Sequence, residues 1–160
     1  MKVSILMGSD SDLESVQGAI DVLHQFGVAH EVRVLSAHRT PQQLRSYLET
    51  CPASVFIAAA GGAAHLAGVI AAEVPKPVIA LPVQGKSLNG LDSLLSMVQM
   101  PPGVPVACVG VGASKNAGLL AIQILAVADP SLAQALVKFK ASQADDVAKK
   151  DAALQQKLKK

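Results

Sequence analysis

The feature that most constrains the fold is a regular alternation between short apolar runs and helix-like segments. Five runs of strand length are mostly apolar: residues 3–7, 30–35, 54–60, 78–83 and 104–111. Continuous apolar strands are typical of parallel sheets that are covered by helices on both faces. The alternation therefore predicts an α/β domain in which every strand is followed by a helix.

The segments between the runs have helical spacing. Residues 13–26 repeat apolar side chains on one side and end at Gly27, a common terminator of helices. Further helices are predicted at 41–49, from the GGAAH stretch to before 75–77, around 91–100, at 113–128 and from 131 onward. We therefore predict one domain, 1–160, with a three-layer α/β/α, flavodoxin-like fold, a five-stranded parallel sheet and a C-terminal helical tail over 131–160.

The helix at 113–128 is apolar nearly all round. Such a helix lies either deep in the core or against another subunit, and the sequence leaves both possibilities open.

Composition argues against a nucleic-acid partner. Aromatic residues make up only 2% of the chain and Trp is absent, so stacking platforms for bases are not expected. The formal net charge is +2, and the Lys and Arg residues before position 76 are only Lys2, Arg33, Arg39 and Arg45. We interpret the basic C-terminal residues as a solvated helix face, not as a phosphate-tracking stripe.

We expect neither a membrane anchor nor a secretion signal. The first apolar run is too short for either, and the apolar stretch 53–72 is interrupted by three glycines and His65. Cys51 and Cys108 form no metal-type cluster and are predicted to be free thiols in a reducing compartment. The expected location is the cytoplasm.

Ligands of open parallel sheets bind beyond the carboxyl ends of the strands. The unusual residues of this chain follow the first three strands. They form three loops: MGSDSD (7–12), SAHRTP (36–41) and AAAGGAAHLAG (58–68).

The MGSDSD loop places serines and aspartates at the start of a helix. One of Asp10, Ser11 or Asp12 could cap that helix, although capping requires only one such residue. Alternatively, serine hydroxyls and backbone N–H groups bind a phosphate while one aspartate binds sugar hydroxyls. We favour a ligand role for this loop.

The SAHRTP loop contains residues that start a helix and residues that do not. Thr40 is predicted to be the N-cap, Pro41 fits the first helical position, and Gln43 fits a capping box. Arg39 could grip a phosphate or form a surface salt bridge, and His38 could be a general acid and base or a structural histidine. His24 and His30 are given no chemical role.

The third loop consists almost entirely of small residues. It could be only a tight strand-to-helix turn, or it could let bare backbone approach a flat ligand, with His65 on the first helical turn. Together the three loops favour a ribotide with a reactive ring. We find no Gly-x-Ser-x-Gly elbow, no metal-type histidine pair and no nicotinamide fingerprint.

Four segments resemble signatures of the 5-(carboxyamino)imidazole ribonucleotide mutase family of purine biosynthesis: MGSDSD, SAHRTP, AGGAAHLAG and GLDSLLSMVQMP. Their order and spacing are also similar, and the resemblance runs from Val3 to about Ala128. It implies a flavodoxin-like subunit of a homo-octamer, with helix 113–128 and Gly90–Pro101 in subunit contacts.

The resemblance also implies a reaction and its residues. A carboxylate moves from the exocyclic nitrogen of the imidazole ribotide to ring carbon C4, with no metal, ATP or biotin and hence no cofactor. His38 matches the catalytic histidine of the family. Ser9, Asp12 and Arg39 match the substrate-binding residues of the family, and Ser11, Ser36, Ala60, Gly61, His65 and Leu66 match positions that line its site.

Two rival functions remain. One is the related carboxylase that uses free CO2, although Arg39 in SAHRTP and the segment DSLLSMVQMP are more similar to the mutase class. The other is a non-catalytic ribotide-binding module, which would not need His38. The chain departs from the family at Ala67, where Pro is common and would restrict the backbone after His65.

Overall fold

The computed structural model describes residues 1–85 and 87–158. Five parallel strands form one sheet: β1 (Lys2–Met7), β2 (Ala29–Val34), β3 (Val55–Ala60), β4 (Val78–Pro82) and β5 (Ala107–Cys108). Their order across the sheet is β2-β1-β3-β4-β5. This is the strand order of flavodoxin-like domains, so the predicted fold is confirmed.

Within the described residues, six α-helices connect and cover the strands: α1 (Leu13–Gln25), α2 (Pro41–Thr50), α3 (Leu66–Glu73), α4 (Leu91–Val98), α5 (Ser114–Ala126) and α6 (Pro130–Leu158). One buried cluster lies between the sheet and the side chains of α1 and α5. A second lies on the opposite face, against α2, α3 and α4. These two cores make the predicted three layers. The last two positions of the predicted tail, 159–160, lie outside the described residues.

Helix α5 packs into the core along one side. Ala117, Ala121 and Ile122 are fully buried against the sheet and α1, whereas Leu119 and Leu120 are only partly buried. A Cβ added at Gly118 would lie 2.4 Å from Cγ1 of Val22, which shows how closely α1 and α5 approach. In the single chain, the core therefore accounts for one side of this apolar helix.

The prediction of a strand at 104–111 was wrong in extent. In the part of the chain that the structure describes, only Ala107 and Cys108 pair with β4, opposite Ile79 and Ala80. Pro105 has no N–H to donate to a ladder, which prevents an earlier start. Beyond Cys108 the regular ladder ends, although the N–H groups of Val109 and Gly112 still donate to the carbonyls of Ala80 and Pro82, and Gly112 adopts a φ of +68°.

The second strand also differs from the prediction of apolar burial on both faces. β2 lies at the edge of the sheet, and its side chains are half-buried or exposed, with Val34 49% exposed. By contrast, all residues of β3 and β4 are buried. No helix within the described residues combines the length and the apolar character needed to cross a membrane.

Candidate active site

The three unusual loops meet in one cavity of about 430 Å³, a size typical of small-molecule sites. Met7, the last residue of β1, pairs with Val34 of β2 and with Ala59 of β3, so the three strands end level. The cavity lies beyond these ends, next to the point between β1 and β3 where the chain reverses its direction across the sheet. This is the position at which open α/β sheets bind ligands.

Nine of the ten predicted site residues line this cavity: Ser9, Asp12, Ser36, His38, Arg39, Ala60, Gly61, His65 and Leu66. Ser11 does not. Its hydroxyl donates a 2.9 Å hydrogen bond to Oγ of Ser9 and thus supports a neighbour that does line the cavity. The sequence did not single out Gly8, Ala37 and Ala63, which also line it.

The first loop ends in a short 3-10 turn over Asp10–Asp12. Ser9 is its N-cap, and both Oγ of Ser9 and Oδ1 of Asp10 accept the N–H of Ser11. The Asp12 side chain forms no cap for α1. Ser9 and Asp10 therefore satisfy the free backbone N–H of this turn. The carboxylate of Asp12 is not used in this way and lies at the cavity wall.

Burial raises the pKa of the Asp12 carboxyl above its usual value. A backbone hydrogen bond from Ser9 and the positive charge of Arg39 lower the same pKa, and the Asp10 carboxylate raises it. Asp12 is thus a partly buried carboxyl group next to a fixed cation. Such a group can accept hydrogen bonds from ligand hydroxyls.

The second loop is held together through Ser36. Oγ of Ser36 accepts the backbone N–H of Arg39 at 3.2 Å and its Nε at 3.4 Å. Nη2 of Arg39 donates to the backbone carbonyl of Gly8 in the first loop. The guanidinium is therefore exposed but anchored, with donors left over for an anionic ligand.

The capping prediction for this loop was partly wrong. Thr40 does precede Pro41 at the start of α2, but it forms no side-chain cap. Instead its Oγ1 accepts the N–H of Ser36 at 2.9 Å and donates to the carbonyl of Ser36 at 3.1 Å. No side-chain cap of α2, and hence no capping box with Gln43, is present among the described residues. Thr40 therefore stabilises the SAHR turn and does not cap the helix.

The third loop delivers His65 to the cavity. Helix α3 begins at Leu66, with His65 as its N-cap, so the prediction that GGAAH opens the helix was wrong. Gly62 adopts a left-handed φ of +63°, which a helix cannot include. His65 therefore lies at the helix boundary and not within the first turn.

The structure brings His38 and His65 into direct contact. Nε2 of His38 lies 2.9 Å from Nδ1 of His65, at hydrogen-bonding distance, and both side chains are exposed. The sequence did not predict this pair, since the residues lie on different loops. The only available signal was that both follow neighbouring strands of one sheet. Within 1–85 and 87–158, no three His, Cys, Asp or Glu side chains are grouped so that they could hold a metal ion.

Comparison with known proteins agrees with this geometry. A sequence profile of the AIR carboxylase family matches residues 2–146. The N5-carboxyaminoimidazole ribonucleotide mutase of Pyrococcus abyssi is 54% identical over 142 residues, which are 87% of this chain and 82% of that protein. The phosphoribosylaminoimidazole carboxylase of Schizosaccharomyces pombe is 51% identical over 140 residues, 86% of this chain but 25% of that protein.

Solved structures give the same result. A crystal structure of Treponema denticola PurE superposes with a TM-score of 0.87 at 30% identity, covering 96% of this chain and 98% of that one. The profile match spans most of the sequence, and the identity to the relatives is about one half. The chain belongs to the AIR carboxylase family.

Proposed function

We propose that this protein is an N5-carboxyaminoimidazole ribonucleotide mutase of de novo purine (IMP) biosynthesis. It moves the carboxylate from the exocyclic N5 to C4 of the imidazole ribotide and gives 4-carboxy-5-aminoimidazole ribonucleotide. The observation that carries the proposal is one cavity in which His38 and Arg39 face a floor of alanine and glycine. The similarity to the mutase of Pyrococcus abyssi supports this choice of reaction.

The reaction removes one proton from C4 of the substrate and adds one to N5. When the N5–carboxyl bond breaks, N5 gains a proton and CO2 is released. When C4 then attacks CO2, a C–C bond forms, and C4 must lose its proton to restore the aromatic ring. His38 performs both transfers: it gives a proton to N5 in the first step and takes one from C4 in the second.

The floor of the cavity keeps CO2 next to C4. Ala60, Gly61, Ala63 and Leu66 present methyl, methylene and backbone groups at this place. These groups supply no nucleophile that could capture CO2, and they allow the flat ring to lie close to the backbone. Holding the two reactants together in a shielded cavity favours recombination over escape.

The polar rim binds the ribose phosphate part of the substrate. The guanidinium of Arg39, the Ser9 and Ser36 hydroxyls and nearby backbone N–H groups bind the phosphate. Asp12 accepts hydrogen bonds from the ribose hydroxyls. This division of roles keeps the carboxylate of Asp12 away from the negatively charged phosphate, which it would repel.

The rival function is carboxylation of aminoimidazole ribonucleotide with free CO2. The relative from Schizosaccharomyces pombe, which is named as a carboxylase, favours it. This chain matches only 25% of the length of that relative, whereas it matches 82% of the length of the Pyrococcus abyssi mutase. We therefore favour the mutase activity for this chain.

A substrate-choice assay with the purified protein tests the proposal. Formation of the C4-carboxylated ribotide is followed from the N5-carboxylated ribotide, and separately from aminoimidazole ribotide plus bicarbonate. The mutase converts the carbamate fast and carboxylates slowly even at high bicarbonate. Efficient use of CO2 with no advantage for the carbamate identifies the carboxylase. Ribotide binding without either reaction identifies a binding module.

The assembly and location follow from the same assignment. The chain forms a homo-octamer in the cytoplasm. Near α4, the large apolar side chains of Leu88, Leu91, Leu95 and Val98 are each 49–68% exposed in the single chain. They support a subunit contact at Gly90–Pro101. Light scattering on a sizing column measures the mass directly, and eight subunits are expected.

A further inference from the structure

Ser93 links the third loop to the rest of the domain. It lies in the first turn of α4 and is fully buried. Its hydroxyl donates a 2.9 Å hydrogen bond to the carbonyl of Val83 and accepts the N–H of Gly62 at 3.0 Å. The side chain does not line the cavity, so it is not placed to touch a substrate.

The loop between Gly62 and His65 is a sequence of tight turns. The carbonyl of Gly62 accepts the N–H of Ala64 at 2.8 Å, and the carbonyl of Ala63 accepts the N–H of His65 at 2.9 Å. The N–H of Gly62 itself points the other way, to Ser93. The position of His65 therefore depends on where Gly62 is held, three residues earlier.

Val83 completes the support of this loop. Its N–H donates a 2.9 Å hydrogen bond to the carbonyl of Ala60, one of the cavity-floor residues. Its carbonyl accepts the hydroxyl of Ser93. Ser93 thus connects two segments by hydrogen bonds: Val83, which follows β4, and the left-handed turn at Gly62.

We propose that Ser93 is a positioning residue, which holds the turn at Gly62 and thereby keeps His65 in contact with His38. This inference rests on the proposed function of the site. Replacing Ser93 by Ala leaves the N–H of Gly62 and the carbonyl of Val83 without this partner. A buried polar group without a hydrogen-bond partner is unfavourable, so we expect the loop to rearrange until both groups are hydrogen-bonded again. A shift of about 1 Å near reacting groups lowers turnover by roughly 100-fold.

The test compares Ser93→Ala with two other variants. Ser93→Thr retains the hydroxyl. Ser96→Ala removes a hydroxyl from the same helix, one that donates to the carbonyl of Asp92 within that helix at 2.8 Å. For Ser93→Ala we expect kcat to fall roughly 10- to 100-fold while KM changes by less than about threefold. Ser93→Thr restores most of kcat, and Ser96→Ala leaves it unchanged.

Three results overturn the proposal. One is a folded Ser93→Ala variant with the kcat of the original protein. Another is an equal loss in Ser96→Ala, which indicates a general effect of weakening α4. The third is a folded Ser93→Thr variant as slow as Ser93→Ala.

Amide hydrogen exchange gives a readout that does not depend on activity. The N–H of Gly62 is expected to be protected in the original protein, and in a folded Ser93→Ala variant it exchanges at least roughly tenfold faster. Fast exchange at Gly62 in the original protein contradicts the proposal. If the original protein fails the substrate-choice assay but Gly62 is protected by Ser93, the proposed function fails while the support of the loop by Ser93 stands.

Discussion

His38 and His65 share one hydrogen bond across the candidate active site. Nε2 of His38 lies 2.9 Å from Nδ1 of His65, and the two rings meet edge to face, with centroids 4.9 Å apart at 88°. In this bond one ring nitrogen donates and the other accepts. Two imidazolium rings have no acceptor, so the bond cannot form when both rings are protonated.

Replacing His38 by Asn removes the proposed proton carrier. We expect His38→Asn to bind the ribotide with nearly unchanged affinity and to lose roughly 100- to 10,000-fold in kcat, the range of general acid–base catalysis. Calorimetry measures binding, and the carbamate assay measures turnover. His24→Asn, on the exposed side of α1, is the matched control and should remain fully active. Turnover close to that of the original protein in His38→Asn contradicts the assignment.

Two substitutions separate the hydrogen bond of His65 from its bulk. The side-chain amide of Asn can occupy nearly the position of Nδ1, whereas Leu fills space without a polar atom. We therefore expect His65→Leu to lower kcat by roughly tenfold more than His65→Asn, about the value of one hydrogen bond. Equal kcat in the two variants contradicts the role of the bond.

Arg39 tests the proposed phosphate grip. Arg39→Met removes the charge, and Arg39→Lys retains the charge without the planar fork that donates to Ser36 and Gly8. We expect KM to rise roughly 10- to 100-fold in Arg39→Met, as for loss of a hydrogen bond to a charged group, and less in Arg39→Lys. Arg45→Met, which breaks an exposed ion pair with Glu73, is the control. An unchanged KM in Arg39→Met places the phosphate elsewhere.

The fold and most of the cavity wall could be predicted because each depends on local patterns. Apolar runs and helical spacing predict the order of strands and helices. The rule that ligands bind beyond the carboxyl ends of strands then selects the three loops. In the structure Met7 pairs with both Val34 and Ala59, which brings these loops to one level. His38 and Arg39 could therefore be singled out from the loops alone, whereas Ser9 and Asp12 are assigned individually through the resemblance to the mutase family.

The remaining features depend on contacts between distant segments. The bond between His38 and His65 joins residues 27 positions apart, and the bond between Gly62 and Ser93 joins residues 31 positions apart. Neither spacing is periodic, so no local pattern predicts them. Thr40 was assigned to a helix cap because its sequence context fits one, yet the turn at Ser36 uses its hydroxyl instead.

Glu31 is expected to make stability depend on pH. Hydrogen bonds, first from the Tyr47 hydroxyl at 2.6 Å and then from Lys2, lower the pKa of the Glu31 carboxyl below its usual 4.5. The carboxylate therefore stabilises the fold above pH 4.5, and this stabilisation is lost as pH falls through the lowered value. We expect Glu31→Gln to reduce the free energy of unfolding at neutral pH by about 1 kcal/mol.

Urea unfolding at a series of pH values measures this effect. The difference between Glu31→Gln and the original protein should be largest near neutral pH and should shrink as the solution becomes more acidic. Glu49→Gln, at an exposed position on α2, serves as the control and should show no such trend. A difference for Glu31→Gln that is constant across the acid range contradicts the lowered pKa.

Gly118 tests the close contact between α1 and α5. A Cβ at this position would lie 2.4 Å from Cγ1 of Val22 and 3.0 Å from the backbone of Ala19, so the two helices must separate to accept it. Overpacking of this kind costs about 1–3 kcal/mol, which outweighs the gain in helix propensity of about 1 kcal/mol in most of that range. At Gly110 a Cβ would meet its nearest neighbour, Cβ of Ala113, at an ordinary 3.7 Å, so Gly110→Ala is the control. Thermal unfolding should show a lower Tm for Gly118→Ala than for Gly110→Ala, and the reverse order would mean that α1 and α5 do not pack this closely.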